Sequence, residues 1–257
     1  MKEKPPAQEK QADDLGLYLG IMGHPKTGKS TFASSIFEST HLDPERCLYV
    51  DNHDSTITID LPEYNKKTNS GLLKTPNWDD IPKLLLDLER KQARGDGSKV
   101  LDCIILDDLT EQSALSIEYL SGDSGMNMNK WGSHKIFMSQ IYRKVKAVSN
   151  NAIFVVRCSW QGDPNQKPDN STVGDLRDQL MQPILEGAFN AWFRYDVALL
   201  AYHEKEIRSG GKTKFTMRLQ PNKDIMVENR LWRGAPDEIE NPTFDKLYEI
   251  LNSKEKK

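Results

Sequence analysis

The sequence predicts an α/β fold: a mainly parallel central sheet with helices on both faces, extended by antiparallel strands towards the C-terminus. Three observations predict it. Apolar runs of strand length alternate with helix-compatible segments as far as Val156. One of those runs, Val100 to Leu106, is apolar almost throughout, as a parallel strand buried on both faces must be. Beyond Tyr195 the strands follow one another through short turns, Gly210-Gly211 among them.

Residues 1 to 14 are polar, contain Pro5 and Pro6, and read as a disordered tail. Leu17 to Met22 is the first strand, and Lys29 to about Thr40 the first helix. Arg46 to Val50 is the second strand and ends in Asp51-Asn52-His53-Asp54; residues 55 to 75 fit no motif. Asn77 or Asp79 caps a helix with Ile81, Leu84, Leu85 and Leu88 on one face, which stops at Gly95-Asp96-Gly97. The strand Val100 to Leu106 is closed by Asp107-Asp108 and followed by a helix from about Thr110 to Leu120. A loop, Ser121 to Trp131, leads to a helix over Ser133 to Ser149 with Phe137, Ile141, Val145 and Val148 at helical spacing. Ala152 to Val156 is a further buried strand, and Ser159 to Asp178 is a long polar loop of the kind that carries function or stays disordered. Pro183 to Phe193 leads into a strand, Tyr195 to Ala201, which the glycine turn joins to Thr213 to Leu219. An amphipathic helix with Phe244, Leu247, Tyr248 and Leu251 ends the chain. The expected division is a tail of 1 to 14, one domain of 15 to 232 and a C-terminal extension of 233 to 257.

The 257 residues are enough to bury a substantial core, and 37% hydrophobic against 28% charged content describes a soluble globular chain. No run approaches the roughly 20 apolar residues of a membrane span, and the first residues lack the apolar core of a signal peptide; both point to the cytoplasm. Cys47, Cys103 and Cys158 each sit in or beside a strand and form no C-x-x-C pair, so buried, reduced thiols are expected. The net charge of −3 argues against coating nucleic acid by bulk electrostatics. Ser121 to Asn150, however, holds five bases against one acid, so this stretch is +4 and the remainder −7.

Gly23-His24-Pro25-Lys26-Thr27-Gly28-Lys29-Ser30 matches G-x-x-x-x-G-K-[ST] between a strand and a helix, the context that the phosphate-binding loop requires. Backbone N–H groups must curl around a phosphate chain, so glycine stands where a Cβ would obstruct the turn or the ligand. Lys29 supplies charge for the β- and γ-phosphates, and the Ser30 hydroxyl is a ligand for Mg²⁺; Thr31 completes the ATP-contacting stretch at the start of the helix. Asp107, at the carboxyl end of its strand, has the form of the acid that holds Mg²⁺ through water, while Asp108 either polarises the attacking water or caps the following helix.

With these residues in place the sequence resembles the RecA core, and most of all the minimal RecA-like ATPases of phages associated with single-strand annealing and recombination. Four blocks carry the resemblance over about residues 15 to 232: Gly23 to Ser30, Leu48 to Asp51, Cys103 to Asp108, and the succession of loop, basic helix, strand and long loop from Ser121 to Asp178. The resemblance implies ATP and Mg²⁺ as cofactors, assembly into a homo-oligomeric ring or filament, single-stranded DNA as partner with a single-strand-binding protein alongside, and a bacterial host cytoplasm. It also implies that both loops face DNA. Trp131 and Trp160 offer stacking faces, each worth about 1–3 kcal/mol per base, and Lys130, Lys167 and Arg177 offer phosphate contacts.

Two departures qualify the activity. Two residues beyond Asp51, where the family places a water-activating glutamate, stands His53, with Asp54 adjacent; imidazole is able to act as a base near neutral pH. In the run Val227-Glu228-Asn229-Arg230, Glu228 stands where a lysine is expected, leaving Arg230, or Lys223, to reach the γ-phosphate of a neighbouring subunit. Arg157 falls where the family senses the γ-phosphate. The leading expectation is an ATP-dependent, DNA-binding annealing or recombination protein. A nucleotide-gated scaffold with little turnover is the alternative, and a small-molecule kinase the third.

Overall fold

A computed structural model describes residues 16–75, 77–160, 181–185, 187–208, 211–222, 224–230 and 235–253. The elements in order are β1 (Tyr18–Gly23), α1 (Lys29–Ser34), β2 (Cys47–Asp51), β3 (Gly71–Lys74), α2 (Asp80–Arg94), β4 (Leu101–Asp107), α3 (Leu109–Ser121), α4 (Met128–Val148), β5 (Ser149–Trp160), β6 (Met181–Pro183), α5 (Gly187–Asp196), β7 (Leu199–Ile207), β8 (Thr213–Arg218), β9 (Glu228–Asn229), β10 (Glu238–Glu240) and α6 (Phe244–Asn252). The sheet runs β10-β8-β7-β1-β5-β4-β2-β3, with β6 on β5 and β9 on β7 off that path. β7, β1, β5, β4, β2 and β3 are parallel, and β8, β10, β6 and β9 pair antiparallel. This is the expected fold class.

The central strands read as continuous apolar runs because both faces are covered. Alternation along β1 sends Tyr18 and Met22 to one side, against α2 to α5, and Leu19 and Ile21 to the other, against α1 and α6. Gly20 lies where an added Cβ would come within 2.9 Å of Leu200 and 3.2 Å of Phe193. The three cysteines are free and buried.

Side chains cap the starts of α3, α4 and α6, whereas Asp79, at an expected cap position of α2, makes no cap bond. Asp108 accepts from the Glu111 N–H (2.6 Å), Asn127 from the Lys130 N–H (3.1 Å) and Thr243 from the Lys246 N–H (3.3 Å). Several elements differ from the sequence expectation, β5 among them, which spans Ser149–Trp160, beyond the expected Ala152 to Val156 at both ends and into the first two residues of the expected loop. α1 tightens into a 3-10 turn, Ser35–Glu38, where Ser34 and Ser35 hydroxyls bond back to Thr31 and Phe32 carbonyls. α4 starts at Met128, because the Asn127 cap sets it, so Trp131 stands in a first helical turn and not on a loop. Tyr195 belongs to α5, whose Phe189 and Phe193 are buried at helical spacing, and the strand begins four residues later at Leu199. β3 was hidden in the unassigned 55–75 stretch: four residues that pair in parallel with β2, with one isolated parallel bridge from Leu72 to Glu63 on the other side.

β10 adds to β8, and Phe244 and Leu247 of α6 are buried beneath α1, so β10 and α6 share the core of the main sheet. Asp245 holds them there by accepting from Ser39 Oγ (2.5 Å) and from the Thr40 N–H and hydroxyl (both 3.0 Å). The tail 1–14, Lys167, Arg177 and Lys223 lie outside the described residues. No helix among the described residues is long and apolar enough to cross a membrane.

Candidate nucleotide site

β1 delivers the loop Gly23 to Ser30 to the carboxyl edge of the sheet, and β7 braces it from behind. A Cβ on Gly23 would stand 2.4 Å from the His203 carbonyl oxygen, so the neighbouring strand by itself requires glycine there. Gly28 has φ +91°, left-handed backbone that favours glycine, and a Cβ there would meet the Phe215 ring at 2.8 Å. His203 is buried, with Nδ1 placed 2.7 Å from the Thr27 carbonyl oxygen as donor, and burial pushes its imidazole down to about 4. Thr27 Oγ1 donates to the His24 carbonyl oxygen (2.9 Å), closing the turn from within.

Lys29 is 8% exposed, and its Nζ donates to the carbonyl oxygens of Gly23 (2.9 Å) and His24 (2.8 Å). Burial lowers its ammonium below the ordinary lysine range, and it lowers the His24 imidazole likewise, helped there by the Lys29 charge. Lys26 has φ 63° at the exposed tip, beside Pro25.

Asp107 collects hydroxyls. Its Oδ2 accepts from Ser30 Oγ (2.7 Å), Ser55 Oγ (2.7 Å) and the buried Tyr49 hydroxyl. Burial, with the Asp107 charge, drives the Tyr49 phenol far above its ordinary range, so it stays a donor. Ser30 and Asp107 therefore present hard oxygen donors at one point, a set whose chemistry fits Mg²⁺. A cavity of about 600 Å³ opens there, walled by the phosphate loop, by residues 53 to 59 and by Arg157 and Phe215.

The remaining expected residues divide. Asp51 does not face the cavity: its carboxylate accepts from the His53, Ser55 and Thr56 N–H groups and from the Thr56 hydroxyl, organising the turn that carries His53. Burial works to raise its pKa, but the Thr56 hydroxyl and the three amides outweigh it and hold the group below the usual carboxylate range. Asp54 has φ 51° and pairs with Lys74 at 2.5 Å. His53 is half exposed, with Nδ1 3.5 Å from Glu111 Oε2. Asp108 is the α3 cap and also accepts from Arg157 Nε (2.7 Å); burial raises its carboxyl, against the pull of Arg157. Its peptide bond with Asp107 is cis. Arg157 further donates to Glu111 Oε2 (3.1 Å), so His53, Glu111, Arg157 and Asp108 form one polar cluster at the cavity wall.

Arg230 lies at the other end of the sheet. Its N–H pairs with the Ala198 carbonyl, at the amino end of β7, and its guanidinium sits 5.7 Å from the Tyr195 ring, so it does not serve the loop of its own chain. Glu228 pairs with Arg194 at 3.6 Å. Lys130 does not present a free ammonium: Nζ donates to Ser121 O (2.7 Å), Ser124 Oγ (2.6 Å) and Gly125 O (2.8 Å), pinning the loop before α4. Trp131 is 36% exposed and stands edge-on to His134 at 6.0 Å. Trp160 ends β5, and neither Lys130 nor Trp131 lines the phosphate cavity. Tyr49, Ser55, Glu111, His203 and Phe215 were not found from sequence: Tyr49, His203 and Phe215 reach the site from strands whose partners are distant in the chain, and Ser55 and Glu111, though close to Asp54 and Asp108, belong to no pattern that marks them.

No family model and no curated protein matches the sequence. Among solved structures, the flagellar accessory protein FlaH from Methanocaldococcus jannaschii is similar over 89% of this chain and 86% of its own, at 16% identity and a TM-score of 0.42.

Proposed function

We propose that this protein binds ATP with Mg²⁺ at the loop Gly23 to Ser30, hydrolyses it slowly, and couples that cycle to single-stranded DNA in annealing or recombination. The observation that carries the nucleotide reading is the 2.7 Å bond from Ser30 Oγ to Asp107 Oδ2 beside the buried Lys29, which joins the loop to the acid of a strand one removed in the sheet. Loop N–H groups cradle the phosphates, and Lys29 exchanges its two carbonyl partners for phosphate oxygens. Ser30 and Asp107 hold Mg²⁺, which when bound neutralises charge on the β- and γ-oxygens. Asp51 and Asp108 are engaged elsewhere, so orienting a water falls to His53, steered by Glu111. Arg230 acts only on a neighbouring subunit's nucleotide, which makes assembly a condition of full turnover.

DNA contact is supported by the exposed Lys135 and Arg143 of α4, which form no ion pair among the described residues, and by Trp131 on the same helix. Hydrolysis measured with and without single-stranded DNA, beside Lys29→Ala, tests the whole reading. Turnover raised several-fold by DNA and abolished in Lys29→Ala supports it. Nucleotide bound without turnover in either condition replaces it with the second reading, a nucleotide-gated scaffold, which the engagement of both Asp51 and Asp108 favours.

A further inference from the structure

The strongest unexplained charge lies at the opposite edge of the sheet from the phosphate loop. Residues 61 to 70 run into β3 at its amino end, and the C-terminal half of α2 descends beside them towards the start of β4. Between them is a cavity of about 320 Å³ whose floor is Tyr64 and Leu84 and whose rim carries Lys66, Arg90, Lys91 and Arg94. Asp87 is the one acid lining it, and Arg90 already engages it at 3.3 Å.

A helix C-terminus attracts cations, and that accounts for Lys91 and Arg94 in the last turn of α2. It does not account for Lys66, which comes from a separate segment and faces the same hollow. Nor is the hollow loosely formed. The buried Asn69, at φ 59°, accepts through Oδ1 from Lys91 Nζ (2.7 Å) and from the Tyr64 hydroxyl (3.3 Å), so the floor and one rim cation are fixed to each other. Lys66 and Arg94 make no side-chain bond to any described residue. In a chain of net charge −3, four cations against one acid leave this hollow locally +3, a surplus that attracts a further anion.

We propose that this hollow is a second nucleic-acid site, taking successive phosphodiesters of a single strand against Lys66, Arg90 and Arg94. It rests on the reading above only in naming a nucleic-acid strand as ligand; its geometry is independent of the phosphate loop and of α4. The test is fluorescence anisotropy of a labelled oligothymidylate over a series of salt concentrations, using the full chain, a Lys66→Gln/Arg94→Gln variant, a Lys135→Gln/Arg143→Gln variant and Lys29→Ala. Both altered residues of the first variant are exposed and unpaired, and its thermal melt is expected to match the parent. Each phosphate contact contributes about 0.7 to the slope of log affinity against log salt for single strands, so losing two lowers the slope by about 1.4. That fall, several-fold weaker binding and an unchanged slope in Lys29→Ala support the site. An unchanged slope in Lys66→Gln/Arg94→Gln overturns it, and if the α4 variant alone loses binding, the DNA reading stands without it. Free thymidine monophosphate competing as well as the strand at equal phosphate also overturns it, as does a parent chain that binds no oligonucleotide.

Discussion

Asp107 Oδ2 accepting three hydroxyls shows how much of this site is decided by single atoms. Removing one donor with Tyr49→Phe leaves the ring packed and the carboxylate two donors, and is expected to cost about 1.5–3 kcal/mol, the range for a hydrogen bond to a charged group, read from the urea midpoint. His203 makes a pH prediction. Its folded value of about 4 lies below the ordinary 6.5, so the fold holds the imidazole neutral. The stability this contributes is fully present above about pH 6.5 and is lost as pH falls towards 4. Between pH 7 and pH 5 it amounts to about 2 kcal/mol. His203→Asn, which keeps a donor for the Thr27 carbonyl, is expected to remove that part of the dependence; an identical profile in parent and variant would count against it. The sequence disclosed the residue types that chemistry fixes, Gly28, Lys29, Ser30 and Asp107, because the loop pattern is local. It gave no sign of Tyr49 or His203, whose partners lie 58 and 176 residues away.

At the level of the element, the turn after β2 is held by one carboxylate. Asp51 satisfies three amides and the Thr56 hydroxyl between His53 and Thr56, and by holding the Ser55 amide it positions the Ser55 hydroxyl as a donor on Asp107. Asp51→Ala orphans these groups together. The expected outcome is a loss of about 2–4 kcal/mol, scaled from buried polar groups left unpaired, with amide exchange at residues 53, 55 and 56 accelerated first. Exchange unchanged at these amides would show that the turn holds by other means. The long elements were legible because their apolar residues recur at period 2 or 3.6. β3 was not, since a four-residue edge strand has too few side chains to show a period, and the start of α4 was not, since Asn127 reads equally well as part of a polar loop.

For the molecule as a whole, the sheet separates two cores, and the smaller one joins the chain's end to its phosphate loop. Phe244 packs under α1, and its N–H donates to Ser35 Oγ at 2.8 Å. Phe244→Ala is expected to cost about 3–5 kcal/mol, as large-to-small core changes do, and to weaken nucleotide binding beyond what unfolding explains, because the α1 support goes with it. Calorimetric titration well below the melting point checks this, and unchanged affinity there would uncouple α6 from the loop. None of this was visible from an amphipathic pattern, which gives α6 a buried face without saying what it is buried against. One strand extends the same logic upward. β5 is twelve residues long where β1 has six; its body is wedged between β1 and β4, while its last three residues pair only with β6. In mechanical terms the last three residues are an overhang, propped on one side by β6, and the overhang begins at Arg157, whose guanidinium grips Asp108 and Glu111 at the cavity wall.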